Sequence, residues 1–233
     1  MSDQAGGRGL EAGGAKAPRW AWWVATGFGS GYLKPAPGTW GSLAALVAWI
    51  LVMQVLTWLT SAMGGDALTS AGQLAHPFLS FLPLLATLAG AWAWIRFGIP
   101  ASTLCAHELG QEDPGLIVID EWAGLWISLV PVAGALPFSN PLTTLRHWAD
   151  LGQLGYSPWE FLAPVLLAFL AFRLLDIWKP WPCREIQILP DGEGIMADDV
   201  VAGLYAAIPV LVLLQLSKWH LIPWPIPRMF WHH

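Results

Sequence analysis

Residues 172–203 read FRLLDIWKPWPCREIQILPDGEGIMADDVVAG, and they decide how the chain must be read. They place both signs of charge between two oily stretches, Phe161–Leu175 and Val200–Leu216. The chain as a whole is only 12% charged. Ionised groups beside hydrocarbon are expensive, so such a cluster requires a physical reason. A divalent cation together with a phosphate supplies one.

Outward from this segment the oily residues come in blocks. Of the 233 residues 55% are hydrophobic; soluble domains run roughly 45–50% apolar and about 25% charged. The blocks are Leu43–Leu59, Pro77–Ile95, Leu116–Phe138, Phe161–Leu175 and Val200–Leu216. A full crossing needs roughly 20 apolar residues. The first, second and last blocks are near that length. The third reaches it only if Asp120 and Glu121 lie near one end. The fourth is short, carries Arg173 and is expected to run past the bilayer surface as an amphipathic helix. The pattern predicts an all-α, polytopic membrane bundle with about five transmembrane or membrane-embedded helices; four crossings remain open. Many of the seventeen Trp flank the blocks, as at Trp40, Trp58, Trp178, Trp181 and Trp219. Indole favours the headgroup layer, where an apolar body meets a polar N–H.

The first eighteen residues are rich in Gly and Ala and have no apolar core of a signal peptide, so 1–18 is expected to be a disordered tail. Residues 19–217 form the membrane-embedded domain, and 218–233 a Trp- and Pro-rich tail. The net charge of −5 argues against nucleic acid. Cys105 and Cys183 have no metal-binding spacing, and the six His are scattered, which leaves no zinc motif.

Basic residues orient the bundle. With the N-terminus in the cytoplasm, Arg8, Lys16, Arg19, Lys34, Arg96, Arg173, Lys179 and Arg184 lie inside. Only Arg146, Lys218 and Arg228 lie outside. The same arrangement puts the segments 26–42, 96–121 and 173–199 on one side as polar loops. The last two hold eleven of the sixteen acidic residues, against Asp66, Asp150 and Glu160 outside. An acidic face this lopsided reads as a site.

Two carboxylate pairs stand out, Asp120-Glu121 and Asp198-Asp199. Each precedes a small Ala-Gly step that lets helices approach closely. Like charges at close range repel and raise each other's pKa, a conflict that bound Mg²⁺ removes through oxygen ligands. Carboxylates in a first turn also cap helices, but both pairs together with Asp176 and Lys179 favour a cage. Arg173, Asp176 and Lys179 fall at i, i+3 and i+6, on one helical face, and Pro180 should stop that helix. Lys179 and Arg184 suit phosphate oxygens. Ahead of the first block, Gly29-Ser30-Gly31 and Pro37-Gly38-Thr39-Trp40-Gly41-Ser42 offer Thr39 or Ser42 as an N-cap, and free N–H groups there suit an anion. The Gly-Lys-Ser/Thr order of a nucleotide-binding loop is missing. Cys183-Arg184 lacks the spacer of a cysteine phosphatase loop, so Cys183 is read as a small hydrophobe.

These blocks, in this order, resemble bacterial phosphatidylglycerophosphatase A over residues 26 to 205. They are Gly29-Ser30-Gly31 with Pro37 to Ala44; Asp113-Pro114-Gly115 with Val118 to Glu121, Gly124 and Trp126; and Phe172-Arg173, Asp176, Trp178 to Pro182, Arg184, Gly194 to Asp199 and Ala202-Gly203. The resemblance implies removal of the terminal phosphate of phosphatidylglycerophosphate to give phosphatidylglycerol. It also implies Mg²⁺ dependence and a place in the bacterial inner membrane, with the phospholipid as the partner. Cys183 stands where the family more often has Ile. Asp191-Gly192-Glu193-Gly194 departs from the family's usual Gly-Gly-x-Gly. The loop Cys105–Asp113 is short for the family.

The expected site therefore comprises Asp120, Glu121, Asp176, Asp198 and Asp199 as metal ligands. Lys179, Arg184, Arg173, Ser30 and Thr39 form the phosphate-binding set. Water and an aspartate are both open as nucleophile. An ion-coupled transporter using intramembrane carboxylates is the main alternative, and a non-catalytic scaffold a second.

Overall fold

The computed structural model describes residues 16–62, 81–135 and 158–218, and these are helical with no strand among them. The outer charges Asp66, Arg146, Asp150 and Arg228, and the tails 1–15 and 219–233, lie outside the described residues. We number the helices α1 (Arg19–Ala25), α2 (Pro37–Ala62), α3 (Leu82–Leu109), α4 (Ile119–Ser128), α5 (Val130–Ala135), α6 (Pro158–Trp178), α7 (Cys183–Ile186) and α8 (Asp191–Lys218).

Among the described residues three stretches are long and apolar enough to cross a membrane: Pro37–Leu59 of α2, Leu82–Leu109 of α3 and Asp191–Ser217 of α8. They contain the first, second and last oily blocks or most of them. Helix α6 has 21 residues and is about 31 Å long, close to the thickness of the hydrocarbon layer.

The third block, as far as residue 135, is packed inside the bundle. Pro131 lacks an N–H, and the helix is interrupted at the single residue Leu129 between α4 and α5, although the Leu129 N–H still donates to the Leu125 carbonyl at 3.1 Å and the Ala133 N–H to the Leu129 carbonyl at 3.0 Å. Helix α4 is only about 15 Å long at ten residues. It packs against α2, α3, α6 and α8, and Trp122, Leu125 and Trp126 are buried in the protein. Its hydrocarbon thus faces other helices. Trp126 Nε1 donates to the Ala45 carbonyl at 3.0 Å, fixing α4 to α2. Trp49 Nε1 donates to Thr87 Oγ1 at 2.9 Å, fixing α2 to α3.

Two expected loops are largely helix. Segment 96–109 continues α3 through Pro100 to its left-handed cap at Gly110, φ 63°. The missing Pro100 N–H costs one hydrogen bond, and the packed neighbours carry the helix across it. Segment 191–199 opens α8, so Asp198 and Asp199 sit inside that helix. Helix α2 likewise begins at Pro37, whose fixed φ suits a first helical position. Thr39 and Ser42 are therefore within the helix and neither is its N-cap.

Glycines set the closest approach. A Cβ on Gly203 would run into the Gly124 carbonyl, and one on Gly124 into Phe172 and the Asp199 carbonyl at 2.5 Å. Backbones of α4 and α8 meet there directly, as the Ala-Gly steps anticipate. Gly203→Ala should therefore destabilise by about 1–3 kcal/mol, whereas Gly115→Ala, which meets nothing within 4 Å, should change stability little. Thermal unfolding of both variants in one detergent checks this; equal melting temperatures would contradict the crossing.

Candidate active site

The α4–α8 crossing brings three carboxylates together. Asp120 and Glu121 occupy the first turn of α4, and Asp199 lies one turn before Gly203 on α8. Carboxylate oxygens of Asp120, Glu121 and Asp199 all lie within 4.8 Å of one another. Glu121 Oε2 and Asp199 Oδ2 are buried and lack a hydrogen-bond partner. Asp120 Oδ1 accepts the Glu121 N–H at 3.0 Å, so this residue does serve the helix start in part.

Beside the trio stand two preformed ion pairs. Arg173, in the last turns of α6, donates from Nη1 to Asp176 Oδ2 at 2.6 Å and to Ser42 Oγ at 3.3 Å. The same nitrogen lies 3.8 Å from Glu121 Oε1. Lys179 then leaves the helix in a left-handed conformation, φ 48°, ahead of Pro180. Its Nζ donates to Asp198 Oδ2 at 2.6 Å. Gln187 Nε2 donates to that same oxygen at 2.8 Å. The expected face of Arg173, Asp176 and Lys179 is thus divided: the first two pair on α6, while Lys179 turns toward α8.

These groups line one cavity of about 260 Å³, which also takes in Gly38, Asp113, Gly115 and Ile117. Six carboxylates face two cations there. Burial, then the charge of Glu121, raises the Asp120 pKa well above the usual carboxylate range. Burial, then the charge of Asp199, pushes Glu121 up to about 8 despite the hydrogen bond with Asp120 and the nearby Arg173. Burial alone would lower Lys179, but its hydrogen bond to Asp198 and the surrounding carboxylates raise it. Lys179 therefore stays charged, whereas the three carboxylates of the trio have only Arg173, at 3.8 Å from Glu121 and shared with Asp176, as nearby positive charge. Hard divalent cations take carboxylate oxygens of this kind. Two orphaned buried oxygens within a trio this tight fit such an ion.

The profile of the family Phosphatidylglycerophosphatase A matches residues 23–214. This chain belongs to that family. It is 33% identical to Phosphatidylglycerophosphatase A of Escherichia coli K12 over 185 residues, covering 79% of this chain and 77% of the relative. It is 31% identical to Phosphatidylglycerophosphatase A of Haemophilus influenzae over 199 residues, covering 85% and 89%. It is also 31% identical, over 201 residues and 84% and 92% of the two chains, to a Bacteroides thetaiotaomicron protein named provisionally as a phosphatidylinositol-3-phosphatase. No solved structure matches. Family membership makes the chain a phosphoric monoester hydrolase and a membrane protein, and gives no support to the transporter alternative.

Of the residues singled out by sequence, Asp120, Glu121, Arg173, Asp176, Lys179, Asp198 and Asp199 converge on the cavity. Three do not. Arg184 is exposed on α7 and donates from Nη2 to the Trp178 carbonyl at 3.2 Å. Ser30 is buried in the turn after α1, and its hydroxyl donates to the Gly27 carbonyl at 2.8 Å. Thr39 is exposed on α2. The five expected ligands line one cavity, and within it Asp176 and Asp198 each pair with a cation while Asp120, Glu121 and Asp199 form the tightest group. Sequence reading missed Gln187 and Gly38. Nothing around Gln187 marks it. Gly38 had a signal in its place at a helix start, and a Cβ there would meet Glu121 Oε1 and lie 3.2 Å from Arg173 Nη2.

Gly38→Ala should therefore cut phosphatase activity about tenfold or more by displacing Glu121 and Arg173, and Arg173→Ala by about 10²–10³. Thr39→Ala and Arg184→Ala should stay within about threefold of the parent, since neither side chain reaches the cavity. Initial rates of phosphate release at equal folded protein check all four; a large loss in Arg184→Ala with Arg173→Ala unaffected would reverse the assignment.

Proposed function

We propose that this chain hydrolyses the terminal phosphomonoester of phosphatidylglycerophosphate to phosphatidylglycerol and phosphate. We place it in a bacterial inner membrane, with the cavity on the cytoplasmic side and Mg²⁺ as cofactor. The observation that carries this reading is the Asp120, Glu121 and Asp199 trio, with orphaned oxygens, beside Arg173 and Lys179 in one cavity. A dianionic phosphate would be repelled by six carboxylates, so a cation is needed to seat it.

Asp120, Glu121 and Asp199 would hold Mg²⁺, which supplies polarisation of the phosphoryl oxygens and a lowered pKa for water. The chain's own residues provide the rest. Arg173 and Lys179 neutralise charge spread over the transferring group. Asp176 and Asp198 hold those two cations at fixed positions, so little reorganisation is needed as charge develops. Gly38 leaves room for Arg173 and Glu121 to stand side by side.

Orientation follows from the basic residues. Arg173, Lys179 and Arg184 lie around the α6 end that meets the cavity, and Lys34 precedes α2, whose start also lines it. This bias favours the cytoplasmic side.

Chelation with EDTA should abolish phosphate release and added Mg²⁺ should restore it. Asp120→Asn, Glu121→Gln and Asp199→Asn should each lower the rate by about 10²–10³ or more. Equal release with and without Mg²⁺ would defeat the metal assignment. The assay should present phosphatidylinositol 3-phosphate beside phosphatidylglycerophosphate, because one relative carries that activity in its name; faster turnover of the inositol lipid would move the substrate.

A double-mutant cycle separates the ion pair's role from that of the trio. Lys179→Met and Asp198→Asn should each reduce activity, and the double variant should lose less than the two losses combined, with a coupling of about 1–3 kcal/mol. Strictly additive losses would mean that Asp198 acts apart from Lys179, as a metal ligand would.

A further inference from the structure

The connection from the end of α6 to the start of α8 carries Lys179 and Gln187 on its inner side and hydrocarbon on its outer side. Ile177, Trp178, Trp181, Ile188 and Leu189 are exposed, Trp181 at 75% and Ile188 at 83%. In water such a patch would be an association hazard. The same surface continues down α6. Leu166, Leu170 and Leu174 are exposed at four-residue intervals, and Trp178 is the next step in that series. These residues share one face of the helix. The patch also joins α8, where Tyr205 Oη donates to the Trp181 carbonyl at 3.2 Å and Leu204 and Ile208 are exposed. Helix α8 contains a membrane-capable span. The exposed hydrocarbon of the connection is therefore a direct extension of the exposed apolar flanks of both neighbouring helices.

We propose that the Ile177–Leu189 connection is seated in the headgroup layer of the bilayer and docks the cavity mouth onto the lipid surface. The occupant of the patch is lipid. Tryptophan at the boundary favours that layer, since its indole N–H stays wet while the ring is covered. The exposed ionised groups of the connection are Arg184 and Glu185, and the Arg184 guanidinium uses only Nη2 on a carbonyl, leaving N–H groups for lipid phosphates. The inner side of the same short segment grips Asp198 through Lys179 and Gln187. A lipid phosphomonoester thus meets the cavity at the surface where the connection sits, with its acyl chains still in the leaflet. The docking surface stands apart from the metal reading, and only the kinetic part of its test rests on the proposed substrate.

The first arm of the test needs no activity. The native Cys105 and Cys183 are buried, so a spin label on Ile188→Cys reports this segment in lipid nanodiscs. Molecular oxygen should reach the label better than a water-soluble nickel chelate, at a depth within about 5–10 Å of the headgroup and acyl boundary. Preferred access by nickel would place the segment in water and overturn the proposal. Shielding from both reagents would mean that protein, such as a second copy, covers it, and would overturn it equally. In the second arm, Trp181→Ser/Ile188→Ser is compared with the parent on phosphatidylglycerophosphate in vesicles and on its dihexanoyl form as free monomers. The surface KM should rise about tenfold while kcat and the monomer rate hold. No change on vesicles, or equal losses on both substrates, would refute docking. If the parent hydrolyses neither lipid, the substrate assignment fails and the spin-label arm alone decides.

Discussion

The structure depends on one close backbone contact, where Gly124 of α4 meets Gly203 of α8. Glu121 lies three residues before the first glycine and Asp199 four before the second. Each is therefore about one helical turn from the crossing, on the side facing the partner helix. Two helices separated by ordinary side chains run 8–10 Å apart; glycine on both allows less. The proximity that drives carboxylates together is thus produced by the absence of side chains elsewhere. Gly38 makes the same arrangement on α2, letting that helix start abut Glu121 and Arg173.

Much of this was legible from sequence, and the reason is chemical. Paired carboxylates beside hydrocarbon are rare enough to mark a site, and the small residues after each pair pointed to a close crossing. What sequence could not resolve was partner choice. Asp176, Asp198 and Asp199 are alike as letters, yet one accepts from Arg173, one from Lys179, and one keeps a free oxygen. That division depends on where Lys179 points once it leaves α6 with positive φ. Arg184 and Gln187 show the same limit, because a charged side chain three residues from an amide gives no hint of which one faces inward. The third oily block shows another limit. A run of apolar residues reads the same whether lipid or other helices cover it, and only the packing around α4 distinguishes the two.

The division among the acids has an energetic meaning. Partly buried ion pairs add little stability, because desolvation offsets their attraction. Arg173–Asp176 and Lys179–Asp198 are therefore poorly explained as stabilising devices. They are better explained as holders that keep two long cationic side chains in single positions beside the trio. Gln187 serves the same end by sharing Asp198 Oδ2 with Lys179, which fixes the carboxylate from a second direction. The trio by contrast is left electrostatically incomplete, and burial raises the cost of that incompleteness.

The cavity's position explains its size. Asp199 precedes the first exposed large apolar residue on α8, Leu204, by five residues, or about 7–8 Å along the helix. A cavity of about 260 Å³ with this polar lining suits a phosphorylated headgroup rather than acyl chains. A soluble enzyme acting on the same lipid would need a deep apolar pocket to hold the extracted chains. On the proposed function the bilayer would do that, so the protein need build only a small polar chamber beside its membrane-capable helices. Charge in a thinly charged chain is then concentrated where three helix ends, those of α2, α6 and α8, meet the buried start of α4.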